Sequence, residues 1–120
     1  MSRKVGKNGD SSLTRLALSD AMKNLLSERP LSDIRIADIT DACHLSRKSF
    51  YYHFKDKEDL IQWIFDSEFM FTLDFDHVHA PVDYWRALMR YLYDNRAFYA
   101  NALEASGQNC FADYFSSRMR

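Results

Sequence analysis

Two short helical segments separated by only three residues constrain this chain more than any other feature of its sequence. In the first segment, Ile36, Ile39 and Cys43 recur at the spacing of one apolar stripe on a two-turn helix. A second helix is predicted to begin directly after Ser46, whose hydroxyl can accept a hydrogen bond from an unpaired amide of the first turn. Two short helices joined by a tight turn predict a helix-turn-helix.

The second helix of this pair has one apolar face and one face suited to nucleic acid. Phe50 and Phe54 fall on the same side as an i, i+4 pair, and Lys48 and Tyr52 fall roughly opposite. The outer side offers cations for phosphates, donors for base edges, and rings for sugars and methyl groups. Its residues are Arg47, Lys48, Ser49, Tyr51, Tyr52 and His53. A solvated amphipathic helix is the alternative interpretation, and the helix that precedes this one favours DNA binding.

The most specific motif is the run Phe-Tyr-Tyr-His-Phe-Lys-Asp-Lys-Glu-Asp-Leu at residues 50–60. This run, within the stretch from about Leu16 to Phe65, resembles the recognition helix and the start of the fourth helix in TetR-type transcriptional regulators. The chain is most similar to the subgroup that contains regulators of dihydroxyacetone kinase operons. The segment 99–115, which includes Gly-Gln-Asn at 107–109, carries this narrower resemblance.

The resemblance implies a sequence-specific DNA-binding regulator, usually a repressor, that is controlled by a small-molecule effector. Its partners would be a double-stranded DNA operator and a second copy of itself, since the full-length family members are homodimers. No cofactor is implied. A ligand-sensing or protein-binding co-activator that does not bind DNA is the alternative from another functional class.

The resemblance also implies which residues contact DNA. Tyr52, His53 and Lys57 match positions that hold phosphates in the family. Arg47, Lys48 and Ser49 match positions that face base edges, and Tyr51 can do either. With two further residues near the helix starts, the predicted DNA-binding set is Arg35, Ser46, Arg47, Lys48, Ser49, Tyr51, Tyr52, His53 and Lys57.

The chain departs from the family pattern at two positions of the helix-turn-helix. His44 stands where the family usually has glycine in the turn, so we expect His44 to adopt a positive φ at some cost in strain. Arg35 stands where the family usually has a Thr or Ser cap, so we expect Asp38 to serve the amide end of that helix instead. From this position Arg35 can itself reach a phosphate.

Scarce glycine and proline, with three and two residues, and the absence of long period-two alternation argue against strands. We predict an all-α fold in which a three-helix DNA-binding lobe precedes an apparently truncated helical regulatory lobe. The predicted parts are a flexible basic tail at 1–12, the helix-turn-helix domain at 13–55, a connecting helix at 56–73, and an incomplete ligand-binding and dimerisation domain at 74–120. Without the family's dimer helices, we expect a weak oligomer.

Aromatic residues crowd the helices of the C-terminal half. A helix is predicted from Pro81 to about Asn95, with Trp85, Leu88, Met89 and Leu92 on one face. The aromatic rings of the C-terminal half form a simple core in one interpretation and wall an effector cavity in the other. The candidate pocket residues are Phe71, Trp85, Met89, Phe98, Tyr99, Phe111 and Tyr114.

Charge and motif content bound the remaining function classes. Residues 1–60 contain 11 Lys or Arg and 9 Asp or Glu, a balance of +2, whereas residues 61–120 contain 5 and 8, a balance of −3. The basic half is therefore the half with the helix-turn-helix. We find no catalytic motif and predict no enzyme, and the alternate His and Asp of the loop 74–81 lack metal-site spacing. Without a signal peptide or membrane span, a cytoplasmic location is expected.

Overall fold

The computed structural model describes residues 7–70, 80–104 and 111–119, and these residues are almost entirely helical. The seven α-helices among them are α1 (Lys7–Leu26), α2 (Ile36–Ala42), α3 (Arg47–His53), α4 (Lys57–Phe65), α5 (Pro81–Asp94), α6 (Arg96–Glu104) and α7 (Phe111–Arg118). A 3-10 turn at Leu31–Asp33 lies between α1 and α2, and a π-helical turn at Asp66–Met70 continues α4. The predicted all-α fold is confirmed. None of the described helices is both long and apolar enough to cross a membrane.

The first three helices enclose a small apolar core. Helix α1 contributes Leu18, Met22 and Leu26, which are fully inaccessible to water. Phe50 and Phe54 project from α3 and its end into this core, with ring centroids 5.8 Å apart. Other buried members from α2, α4 and the segment before α2 are Leu31, Ile34, Ile39, Leu60, Ile61 and Ile64. Because these side chains fix the inner face of α3, its outer face is directed to solvent.

Helix α1 begins at Lys7, earlier than the predicted start near Leu13. Residues 7–12 of the predicted flexible tail are therefore helical, and residues 1–6 lie outside the described residues. No proline occurs in the chain before Pro30, so the main-chain bonding of α1 can extend toward the N-terminus through Gly9, although glycine is a weak helix former.

Helix α4 packs on both halves of the structure, as its predicted length required. Asp56 caps it, since its carboxylate accepts the Asp59 amide at 2.8 Å. Ile61 and Ile64 are buried against the three-helix core, and Phe65 at its end lies among the rings of α5, α6 and α7. The predicted end of this helix near residue 73 lies outside the described residues.

Helix α5 spans the predicted residues but is rotated from the predicted orientation. Leu88 is buried, whereas Trp85 and Met89 are 48% and 54% exposed, so the expected stripe with all three on an inner face was wrong. The inner side of α5 is instead Tyr84, Leu88 and Tyr91, which are spaced four and three residues apart. The Tyr91 hydroxyl donates to the Glu68 carboxylate, and the Tyr84 hydroxyl reaches the Met119 sulfur at 3.7 Å, so both phenols have acceptors on the inner side of the helix.

A chain of polar contacts joins α1, the π turn, α5 and α6. Glu68 of the π turn binds the Lys23 ammonium of α1 at 2.7 Å and accepts the Tyr91 hydroxyl at 2.9 Å. The Tyr91 and Tyr99 hydroxyl oxygens lie 2.6 Å apart. Since the single Tyr91 proton is directed to the Glu68 carboxylate, Tyr99 donates to Tyr91. Burial raises the pKa of both phenols, so both remain protonated.

Replacing Tyr91 with Phe should lower the free energy of unfolding by about 1–3 kcal/mol, because it leaves the buried Tyr99 hydroxyl without its acceptor. Tyr93→Phe is the matched control, since Tyr93 lies on the same helix and is 64% exposed. Urea unfolding of both variants measures the difference. Equal stability of the two variants would contradict the importance assigned to this polar chain.

Candidate nucleic-acid interface

Helix α3 is short, and its ends are defined by side-chain and main-chain hydrogen bonds. The Ser46 hydroxyl accepts the Ser49 amide at 3.1 Å, which confirms the predicted cap. At the other end, the Phe54 amide donates to the Phe50 carbonyl at 2.9 Å. Phe50 is fully buried and Phe54 is nearly so, and together they hold one face of α3 against the core. The orientation of the remaining side chains follows from this anchoring.

The outer face of α3 presents two cations and two phenols to solvent. Arg47 and Lys48 are exposed, and Tyr51 and Tyr52 are 51% and 79% exposed. This combination provides charge, hydrogen-bond donors and flat apolar surface on one side of a single helix.

The turn between α2 and α3 contains the expected strained residue. His44 has φ of 60°, in the left-handed region that favours glycine, as predicted. The turn is closed by the Leu45 amide, which donates to the Thr40 carbonyl of α2 at 2.9 Å. Because this turn sets the angle at which α3 leaves α2, His44 helps to fix the direction of the exposed face.

The start of α2 is stabilised as the sequence predicted. The Asp38 carboxylate accepts the Arg35 amide at 2.9 Å and pairs with the Arg35 guanidinium at 3.3 Å. The hydrogen bond to the Arg35 amide, followed by the one to its side chain, lowers the pKa of Asp38. The Arg35 side chain is nevertheless 80% exposed, so it projects from the surface.

His53, the last residue of α3, is half-buried. Loss of water around the ring, followed by the nearby positive charge of Arg15, lowers the pKa of His53. His53 is therefore neutral at neutral pH and can act as a hydrogen-bonding group rather than as a cation. Arg15 lies on α1, and its proximity to His53 adds a positive charge to this surface that the sequence did not reveal.

Lys57 does not extend to solvent like the other predicted DNA contacts. Its ammonium donates to two main-chain carbonyls, that of Leu31 at 3.0 Å and that of Ile34 at 2.7 Å. These carbonyls belong to the segment between α1 and α2. The structure therefore separates Lys57 from the exposed set on α3 and makes it a bridge from the start of α4 to that segment.

The comparisons with known proteins agree with this geometry. Residues 18–64 match the family described as bacterial regulatory proteins, tetR family. Residues 18–64 therefore form a domain of this tetR family. The match begins on α1 and ends on α4, so it covers the three-helix core, the turn at His44 and the exposed face of α3.

Two named relatives illustrate the similarity. The chain is 30% identical over 95 residues to the HTH-type dhaKLM operon transcriptional activator DhaS of Lactococcus lactis, covering 74% of this chain and 48% of the relative. It is 37% identical over 51 residues to the HTH-type transcriptional regulator EthR of Mycobacterium tuberculosis, covering 42% of this chain and 24% of the relative. The chain thus spans about half, or less, of the length of these two relatives.

The residues predicted to wall an effector pocket occupy different settings in the structure. Phe71 lies outside the described residues, and Trp85 and Met89 face outward on α5. The buried members are Phe98, Tyr99 and Phe111. Tyr114 is half-buried and donates its hydroxyl to Asp66 of the π turn. Tyr99 and Phe111 pack around Phe65, and Phe98 packs on Tyr99. The structure does not bring the outward-facing pair into that cluster.

The loop at residues 74–81 was predicted to lack metal-site spacing. Of this loop, only Ala80 and Pro81 are among the described residues. Within the ranges that the structure does describe, no group of three or more His, Cys, Asp or Glu side chains could hold a metal ion.

Replacing His44 with glycine should raise the free energy of unfolding by roughly 0.5–1 kcal/mol, because the left-handed strain of a β-carbon exceeds the entropic cost of glycine. His44→Val should lower it, since a branched side chain tolerates positive φ poorly. Thermal unfolding of both variants gives the two signs. Destabilisation by glycine would mean that imidazole contacts outweigh the backbone strain.

Replacing Lys57 with Met should destabilise the fold by roughly 1–3 kcal/mol, since two main-chain carbonyls lose a charged donor. Lys55→Met is the control, because Lys55 is exposed and lies only two residues before Lys57. Chemical unfolding of both proteins tests the difference. A Lys57→Met protein as stable as the control would show that the bridge contributes nothing measurable.

Proposed function

We propose that this chain is the DNA-binding part of a transcriptional regulator that reads a specific operator through α3. The observation that carries the proposal is the exposure of Arg47, Lys48, Tyr51 and Tyr52 on one face of a helix whose other face is locked into the core by Phe50. In helix-turn-helix proteins the second helix enters the major groove while the first crosses the backbone. The surface of α3 has the chemistry that such docking needs.

The proposed contacts divide by the groups that each side chain can offer. Arg47, Lys48 and Ser49, near the start of α3, face base edges in this proposal. Arg35, Tyr52 and the neutral His53 contact phosphates, and Tyr51 serves either purpose. Ser46 keeps its hydroxyl on the Ser49 amide and contributes through the helix end. Lys57 is left out of the primary set because two carbonyls already bind its ammonium.

We also propose a homodimer and effector control for the full-length protein. Dimeric helix-turn-helix proteins read half-sites about 34–36 Å apart, so a change in the pose of α4 alters the match to the operator. The buried rings of α6 and α7 around Phe65 support a C-terminal lobe that responds as a unit. The Lactococcus relative is named an activator, so repression stays a prediction. A cytoplasmic location follows from DNA as the partner.

The proposal predicts that an unbiased selection of duplexes enriches a common half-site. With that duplex, Lys48→Ala should cost about 1–3 kcal/mol at one or two base pairs and relax the preference there. The binding of both wild type and variant should weaken as salt rises, because phosphate contacts release counterions. Binding isotherms in a salt series on selected and scrambled duplexes measure both effects.

Arg90→Ala is the matched control for Lys48→Ala, since Arg90 is an exposed cation on α5, outside the proposed interface. It should leave the selected half-site and the affinity unchanged. If the wild type enriches no sequence and shows no salt-dependent binding to scrambled duplex, DNA binding is excluded. The co-activator alternative then becomes the better description of this fold.

A further inference from the structure

The segment of residues 27–35 that connects α1 to α2, here named the connector, is held by side chains from two other helices. Lys57 reaches it from the start of α4, and Asn101 reaches it from the middle of α6. The Asn101 amide donates to the carbonyl of Leu26 at 2.6 Å and to that of Arg29 at 3.3 Å. Both partners of Asn101 are carbonyls, so only the NH₂ end of its amide fits there.

The two side chains hold opposite ends of the connector. Asn101 binds where α1 ends, at carbonyls that the helix's own amides cannot satisfy. Lys57 binds the carbonyls of Leu31 and Ile34, just before the first residue of α2. Ile34 is itself almost completely buried. The start of α2, and with it the turn into α3, is therefore fixed by atoms of α4 and α6.

The contacts of Lys57 and Asn101 with the connector lie beside a cleft. An open cleft of about 370 Å³ runs between the connector, α4 and α6, and Lys57 and Asn101 both line it. Asn101 lies on α6, and Phe98 and Ala102 of the same helix are buried in the core. A shift of α6 therefore moves the amide of Asn101 together with these core residues.

We propose that Lys57 and Asn101 are positioning residues that set the pose of the helix-turn-helix by holding the connector, so that a displacement of α6 or α4 reaches α2 directly. This inference rests on the proposed DNA binding. It assigns no contact with DNA to either residue. It differs from a movement of α4 alone, because Asn101 lets α6 act on the start of α2 through the connector.

The test compares Asn101→Leu with Asn95→Leu in the whole chain. Asn95 donates its amide to the Tyr91 carbonyl of its own helix at 2.9 Å, so its replacement is a local loss of the same kind. Asn101→Leu should weaken binding to the selected duplex by about 2- to 30-fold, the range of residues that act through others. Asn95→Leu should not weaken it, and Asn101→Gln, which keeps the donor, should recover part of the loss.

Salt dependence separates positioning from phosphate contact. Lys57→Met should lower affinity with an unchanged slope of log affinity against log salt, whereas loss of a phosphate contact flattens that slope by about 0.9. A flattened slope would overturn the positioning assignment of Lys57. Equal affinity of the Asn101→Leu and Asn95→Leu proteins would overturn that of Asn101.

Hydrogen exchange of the α2 amides, measured without DNA, keeps the test independent of DNA binding. If the wild type binds no duplex, the proposed function fails. The exchange rates of the α2 amides still show whether Asn101 holds the connector. Faster exchange in α2 for Asn101→Leu than for Asn95→Leu supports that hold. Equal exchange of the two variants overturns it, whatever the outcome with DNA.

Discussion

The burial of Phe65 at the end of α4 is the interaction on which the rest of the structure depends. Its ring is fully inaccessible to water, and its centroid lies between 5.6 and 6.2 Å from five other rings. Those rings belong to Phe69, Tyr91, Tyr99, Phe111 and Phe115. Each such pair contributes about 0.5–1.5 kcal/mol beyond its buried area. Because α4 starts beside α3, this cluster ties the C-terminal helices to the helix proposed to face DNA.

The π-helical turn after Phe65 gives this apolar joint a polar rim. Asp66 accepts the Tyr114 hydroxyl and lies 3.4 Å from the Arg118 guanidinium, so α7 is held at one side of the turn. At the other side, Glu68 accepts hydrogen bonds from the Lys23 ammonium of α1 and the Tyr91 hydroxyl of α5. π turns are rare and frequently occur at functional sites, because the extra residue in the turn redirects the side chains that follow. Here it directs two carboxylates toward different helices.

Local features of the fold could be predicted from the sequence, because they depend on residues only a few positions apart. The caps at Ser46 and Asp56, the Phe50 and Phe54 pair, and the positive φ of His44 all follow from the chemistry of a single turn. Within the candidate site, the exposed face of α3 was predictable for the same reason, since burial of one face determines the other.

Features that depend on distant residues could not be predicted. The contact between Asn101 and Leu26 joins residues 75 positions apart, and an asparagine in mid-helix carries no sign of such a partner. Lys57 matched a phosphate-contacting position, yet its short distance to the connector carbonyls is a product of tertiary packing. The rotation of α5 has the same origin: two faces were both apolar enough to be buried, and packing on Phe69 selected the one with Tyr84.

The contacts of Lys57 and Asn101 with the connector have a consequence for how this segment can evolve. Both side chains bind main-chain carbonyls, which every amino acid supplies. Exposed connector side chains such as Ser27, Glu28 and Ser32 can therefore be exchanged by mutation without loss of these bonds. An inserted or deleted residue, however, would move the carbonyls out of reach. Within this segment, selection should act on length far more strongly than on composition.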